Sequence, residues 1–339
     1  TIIGATNIWL NPDIEYIEVD AEGEHWIITK EAHHNLKHQI KDLNIIREVD
    51  PNDLIGGFVE NPFTGDKLPI FPASFVSGSY GSGVVFSEPA DAPADYIALQ
   101  DLKNNKELIA KYHLEDIIDD VNPINVCSVK GYGEIPAAEI IEKLGIKDQN
   151  DPKLHDATNE LYKVEHRKGI ISEHIPEYGG KKVAIAREEF KADMIDKNMA
   201  TTMYDFAERP VICRCGEDCV VKIMDNQWFL KYSDEEWTAK THEVLNGETI
   251  IPKEVKNNFE YYIDWLDDWA CSRNVGLGTR LPWDNQWLIE PLTDSTIYMS
   301  YYTIAKYLRN MNADDLNPAF FDKVLLDIDS DDVKVDDET

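Results

Sequence analysis

The sequence predicts a mixed α/β protein in two parts, a β-rich module up to about residue 209 followed by a helical remainder. Three observations predict it. Short runs of β-branched and aromatic residues, broken by turn residues, fill roughly the first 90 positions. Apolar residues at helical spacing dominate the later stretches. The composition, 43% hydrophobic and 10% aromatic over 339 residues, is that of an ordinary globular chain long enough for two or three cores.

The elements follow in order. Ile8–Leu10, Ile14–Val19 and Trp26–Ile28 read as strands separated by Asn-Pro and Glu-Gly-Glu turns. A helix is expected over residues 30–43, with Leu36, Ile40 and Leu43 on one face. Asn61 to Asp66 reads as a turn between strands. From Pro93 to Asn104 the pattern is helical, with proline in the first turn where its missing N–H costs nothing. Further helices are expected over 136–145, 152–164 and 184–198. Strand signals return over 210–224 and 227–232, and Ser233 to Glu236 reads as a capping box opening a helix. Pro252 stands near the start of the next helix, whose apolar stripe is Phe259, Ile263, Leu266 and Trp269. A last helix is expected over 295–308, before an acidic tail from Asp327 to Thr339. The domain boundaries read from this pattern are 1–209, 210–310 and a tail, 311–339.

A formal net charge of −31 argues against a protein that grips nucleic-acid backbone over a wide face, because neutralising phosphates takes Lys and Arg. Contact with RNA would be local, and DNA is not an expected partner. No run of 18 apolar residues is present, so no membrane span is expected. The N-terminus has neither a basic region nor an initiator Met and begins in mid-pattern, as a fragment would. Five cysteines, an odd number, do not read as a disulfide framework and fit the reducing cytoplasm.

Several clusters carry potential chemistry. Gly78 to Gly83 is a glycine-rich turn running into a strand, able to bring backbone amides close to a ligand; by itself it is more simply a hairpin. Asp95 falls in the first turn of the helix opened by Pro93, where the helix dipole favours a charged carboxylate. That carboxylate could hold a cation, although an ordinary first-turn acid is the simpler reading. His34 and His38 share a helix face without a third ligand nearby. Cys213, Cys215 and Cys219 are a zinc candidate with three thiols rather than two complete pairs, and zinc is the poorer reading there. Asp327, Asp329, Asp331 and Glu338 mimic a calcium loop but lack its glycine. No nucleophile elbow or Cys–His pair emerges.

Two stretches add a resemblance. Gly81-Ser-Gly-Val-Val-Phe-Ser-Glu-Pro-Ala-Asp91-Ala-Pro-Ala-Asp95 resembles the strand–loop–helix of the editing pocket in leucyl-tRNA synthetases of the archaeal and eukaryotic type. Ser82 stands where that family usually has Thr, and Glu88 where it usually has Val. Trp265 through Thr303, including Ala270-Cys-Ser-Arg273, Trp283 and Asp294-Ser-Thr, resembles the second half of the family's catalytic domain. Thr1 to Trp9 resembles the end of its threonine-rich editing segment. The fold implied is a β-rich editing domain inserted in a class I, Rossmann-like catalytic domain, of which only the second half is present.

The resemblance implies hydrolysis of mischarged aminoacyl-tRNA(Leu) at its 3′ end. A hydrophobic synthetic pocket rejects a residue one methylene different by only about 1–3 kcal/mol, so a second sieve is needed. Asp95 would hold the substrate's α-ammonium; Thr1 would clash with the branched leucine side chain; Gly81, Ser82, Gly83 and Asp91 would line the substrate pocket. No general base is evident, so a positioned water is the expected nucleophile, and editing itself would need no cofactor. ATP and Mg would serve ligation of leucine in the intact synthetase, expected to be a monomer; its two ATP signatures are absent here, so the fragment is not expected to activate leucine. The competing readings are a non-catalytic tRNA- or partner-binding module, an editing domain of a sister synthetase for valine or isoleucine, and a structural zinc module.

Overall fold

A computed structural model describes residues 2–208 and 210–326 of the chain. Thr1 and the acidic tail from Asp327, both singled out in the sequence, lie outside the described residues. The fold divides at Ile223/Met224 into two compact units.

The first unit opens with β1 (Asn7–Leu10), β2 (Tyr16–Ala21) and β3 (Glu24–Thr29). β2 alternates as a half-buried strand should, burying Ile17, Val19 and Ala21. Glu22 and Gly23 both take positive φ, which makes the tight two-residue hairpin into β3. Thr29 then caps α1 (Lys30–Leu36) by accepting from the Ala32 amide. The expected helix to residue 43 stops there. Asp42 turns left-handed, and β4 (Leu43–Val49) pairs antiparallel with β2. The β-branched run Ile45, Ile46 and Val49 favours the strand, and cross-strand pairing outweighs a helical spacing that Leu43 completes only by coincidence.

β5 (Phe58–Glu60), β6 (Lys67–Pro72) and β7 (Val85–Ser87) join β1 in a four-stranded sheet ordered β5-β6-β1-β7. β1 runs parallel to β6 and antiparallel to β7, with Asn7 opposite Ser87 and Trp9 opposite Val85. The expected turn from Asn61 to Asp66 joins β5 to β6. α2 (Pro93–Asn104) matches its expected bounds, and with α3 (Lys106–Tyr112) it packs over this sheet. Trp9, Phe71, Leu99 and Leu114 are among the fully buried side chains of that core.

β8 (Cys127–Ser128) pairs with β9 (Ile170–Ile171), and the same part of the unit holds three helices, α4 (Pro136–Leu144), α5 (Leu154–Lys168) and α6 (Val183–Asp196). α4 ends on left-handed Gly145, whose missing Cβ makes that conformation cheap. α2, α4 and α5 bury Ile97, Ile140 and Leu161 together. Val126, Ile171, Tyr178 and Phe190 form the core beneath α6. Over 210–224, where strand signals were read, the structure has the isolated bridge Ile212–Asp218, closed around a left-handed Gly216.

The second unit contains β10 (Phe229–Leu230), α7 (Glu235–Gly247) and α8 (Val255–Trp265). Then come β11 (Trp269–Ala270), β12 (Ser272–Arg273), β13 (Arg280–Leu281), β14 (Asp284–Ile289), α9 (Pro291–Leu308) and α10 (Pro318–Leu326). α7 is capped by Asp234, not by Ser233, because the Asp234 carboxylate reaches the Glu236 and Trp237 amides. The expected stripe on α8 is cut at Trp265, so Trp269 falls in β11 and Ile263 is the member of the stripe that is buried. The described strand pairings of this unit are all antiparallel.

Candidate functional site

The predicted site residues separate into three places within the first unit. Asp95 is the hinge between β7 and α2. One carboxylate oxygen accepts from the Trp9 indole at 3.2 Å, and the other accepts from the Glu88 amide at 2.8 Å. Trp9 is 1% exposed, so its N–H has no water to fall back on and needs this partner. Asp95 therefore fixes where the chain leaves the sheet. Burial, partly opposed by the Glu88 amide bond, pushes its carboxyl from 3.8 up to about 6.

The glycine loop is pinned from the other side. The Thr29 amide donates to the Ser82 carbonyl at 3.0 Å, and the Thr29 hydroxyl donates to the Gly78 carbonyl at 2.5 Å. Tyr16 donates to the Gly83 carbonyl at 2.8 Å. At Gly83, with φ +74°, a Cβ would stand 2.2 Å from a Thr29 methyl, so only glycine fits. Ser82 spends its hydroxyl on the Val84 backbone. Gly81 borders a cavity of about 670 Å³ that it shares with Glu31, His34, Tyr204 and Cys219. His34 and His38 stand with rings 6.2 Å apart, and no third donor joins them among the described residues.

Asp91 lines a different cavity, of about 370 Å³. Its polar lining includes Glu88 and Asp91 from the β7–α2 turn, Cys127 from β8 and Glu165 from α5. Ile3, Val126, Ile175 and Phe190 add an apolar lining, and His166 and Arg187 also border the cavity. Cys127 donates its thiol to Asp91 at 3.5 Å. Burial and then the Glu88 charge push Asp91 up to about 7, and burial and then Asp91 push Glu165 up to about 9. Burial likewise pushes the Cys127 thiol up. At neutral pH Glu165 is thus held as a neutral acid while Asp91 is balanced between its two forms.

Cys127, Glu165 and Glu88 were not among the sequence-predicted site residues. One signal was legible for Glu165. It stands four residues after Leu161 and eight after Ala157, on the buried face of α5, where an acid is out of place. Cys213, Cys215 and Cys219 lie on a backbone-bonded turn and do not converge as a three-donor cage. Among the described residues the group that converges so is Asp91, Cys127 and Glu165. All five cysteines are free thiols.

Set beside proteins of known identity, the chain is 60% identical over 327 residues to the leucine–tRNA ligase of Methanothermobacter thermautotrophicus, covering 96% of this chain and 35% of that one. The corresponding ligases of Methanopyrus kandleri and Pyrococcus abyssi match at 48% and 43%, again over 96% of this chain. This chain belongs to the leucine–tRNA ligase family. It spans about a third of the length of the curated relatives it matches, so it corresponds to a segment of a synthetase of archaeal type. No protein-family model matches. The crystal structure of the P. falciparum cytosolic leucyl-tRNA synthetase editing domain superposes with a TM-score of 0.53 at 21% identity, over 58% of this chain and 73% of that one. The corresponding P. knowlesi domain gives 0.54 at 20%, over 58% and 78%. The α/β fold expected for a synthetase editing domain is the one observed.

Proposed function

We propose that the first unit is the proofreading module of a leucyl-tRNA synthetase, hydrolysing the ester that joins a wrong amino acid to the 3′ end of tRNA(Leu). The observation that carries this reading is the cavity of about 370 Å³ lined by both acidic and apolar side chains. An aminoacyl ester carries a cationic ammonium and a hydrocarbon side chain, and such a cavity complements both at once.

Asp95, which does not itself line the cavity but accepts from the amide of Glu88 at its edge, is proposed to hold the α-ammonium. Each of its oxygens accepts one hydrogen bond in the structure and has a second lone pair to offer. Its carboxyl at about 6 is ionised at neutral pH. Asp91, at the cavity wall and near 7, is suited to orient water and to accept a proton from it. Gly81, Ser82 and Gly83 are proposed to shape the approach of the terminal adenosine, and Thr1 to exclude leucine by its bulk.

Residues 1–209 are proposed as the editing domain and 210–310 as the second half of the catalytic domain, with 311–339 as a tail. Two exposed apolar side chains in the second unit, Val275 and Leu277, support a surface that the rest of a longer protein covers. Leucine ligation with ATP and Mg, cytoplasmic location and a monomeric state are proposed for that longer protein. Among the described residues of the second unit no three metal-binding side chains converge, so no contact to ATP or Mg is assigned to them. No described helix is long and apolar enough to cross a membrane.

The test is deacylation of isoleucyl- and norvalyl-tRNA(Leu) by the chain, beside Asp95→Ala and a leucyl-tRNA(Leu) control. Hydrolysis of the wrong esters alone, lost in the variant, is the expected result. Binding of tRNA without any hydrolysis would replace this reading with a non-catalytic module.

A further inference from the structure

The polar lining of the 370 Å³ cavity holds a set of three donors of which ester hydrolysis as proposed above uses only Asp91. Asp91, Cys127 and Glu165 come from a turn, a strand and a helix far apart in sequence, yet their donor atoms all lie within 4.8 Å of one another. All three are more than nine-tenths buried, at 8%, 4% and 8% exposure. Two of them are acids, and among the described residues neither forms an ion pair. Glu165 is the sharper anomaly. It lines the cavity, and its Oε1 is buried with no hydrogen-bond partner. A buried carboxyl oxygen left unpaired costs about 1–3 kcal/mol, and α5 could have avoided that cost with an apolar residue at this stripe position.

We propose that Asp91, Cys127 and Glu165 form a binding site for a divalent cation of the zinc class, with a fourth position open to the cavity. The mixed donor set selects the ion. Calcium and magnesium take oxygen donors, whereas a thiolate beside carboxylates suits a borderline metal. The geometry agrees. Zn–O distances of about 2.0–2.2 Å and a Zn–S distance of about 2.3 Å put oxygen and sulfur about 3.5 Å apart across a tetrahedral angle. The Asp91 oxygen and the Cys127 sulfur stand 3.5 Å apart. The Glu165 donor atom lies within 4.8 Å of both others, on the same side of the cavity lining as the ion they would share. Metal binding releases the thiol proton that now bridges Cys127 and Asp91 and the carboxyl proton that burial keeps on Glu165, and it gives both resulting carboxylates a counter-charge.

The test uses the 339-residue chain with Cys213, Cys215 and Cys219 replaced by serine, so that the exposed thiols cannot contribute. Equilibrium dialysis with Zn²⁺ is expected to show one tight equivalent. Cys127→Ser and Glu165→Gln in that background should each weaken it by at least the roughly 10–100-fold that loss of a mere supporting residue costs. With Co²⁺ the background protein should show a near-ultraviolet thiolate-to-cobalt charge-transfer band, absent in Cys127→Ser. Zn²⁺ should raise the melting temperature of the background protein but not that of Glu165→Gln, whose folding without metal is read in the same scan. Absence of the charge-transfer band overturns the proposal. So does zinc binding, or zinc stabilisation, that is unchanged in both variants. These readouts are independent of deacylation, so the hydrolytic reading can fail while this one stands, and the reverse.

Discussion

Asp95 is the residue on which structure and proposed activity make opposite demands, and Asp95→Asn separates them. The carboxylate accepts from two donors, the Trp9 indole and the Glu88 amide. Asparagine keeps the shape but offers one acceptor and one donor, so one of the two N–H groups loses its partner. That loss costs about 1–3 kcal/mol. The variant also removes a titration. Burial raises the carboxyl from 3.8 in the unfolded chain to about 6 in the folded one. A raised value means that the folded state prefers the protonated form. Its contribution to stability is complete below about pH 4 and is lost as pH rises through about 6. The gap corresponds to about 3 kcal/mol, which for a domain of this size moves the melting temperature by about 6–12 °C.

The difference in melting temperature between the native chain and Asp95→Asn should therefore shrink by that amount between about pH 4 and pH 7. Thermal scans followed by near-ultraviolet circular dichroism would read it, with Trp9 as one reporter. Deacylation should run the other way. Holding an ammonium requires the ionised form, so kcat/KM for isoleucyl-tRNA(Leu) should rise through an apparent value near 6 and flatten above it. Asp95→Asn should be flat and lower by about 10²–10³-fold, the usual consequence of losing one partner of a desolvated charge pair. A difference curve independent of pH would refute the account of burial. An Asp95→Asn protein that hydrolyses at the native rate would refute the ammonium assignment while leaving the hinge role intact.

Two further substitutions test how the glycine loop is held. Gly83→Ala should cost about 2–4 kcal/mol in urea unfolding, since it combines a left-handed φ with a Cβ 2.2 Å from Thr29; Gly81→Ala, at φ +63° in open space, should cost about 1–2 kcal/mol. Tyr16→Phe removes a buried hydroxyl that donates to the Gly83 carbonyl and accepts from the Asn11 amide. It should lower stability by about 1–3 kcal/mol in the same assay, leaving the pH profile of deacylation in place.

What was legible in the sequence depends on how local its physical cause was. α2 was found to the residue because Pro93 marks its first turn and its buried positions repeat at helical spacing. The hairpin from β2 to β3 was legible from Glu22-Gly23 between β-branched runs. β4 was missed because its identity is set by β2, a partner some 25 residues away, and not by its own pattern. The site shows the same division. Asp95 and the glycine loop sit on one continuous stretch and could be named together. Their separation into a hinge, a pinned loop and a cavity wall depends on Thr29, Trp9 and Tyr16, which no spacing connects to them. Cys127 is a lone thiol in sequence and gains meaning only where β8 meets the β7–α2 turn.

The charge of the chain bears directly on how it would meet a tRNA. With 64 acidic residues against 33 basic ones, long-range electrostatics repel a polyanion, and few phosphate contacts can offset that. If the cavity accepts only the terminal aminoacyl-adenosine, binding energy comes from a small buried contact and counterion release is slight. For a single-stranded end the salt slope is about −0.7 for each phosphate neutralised, so one or two contacts give a slope of about −1. The expected outcome is a high KM with a measurable kcat. A plot of log kcat/KM against log salt should be shallow, or even rise as salt screens the repulsion. Initial deacylation rates at several salt concentrations measure this directly. A slope steeper than about −3 would mean that four or more phosphates are gripped, and the charge distribution of this segment would then have to contain a basic track that the view of tRNA contact as purely local excludes.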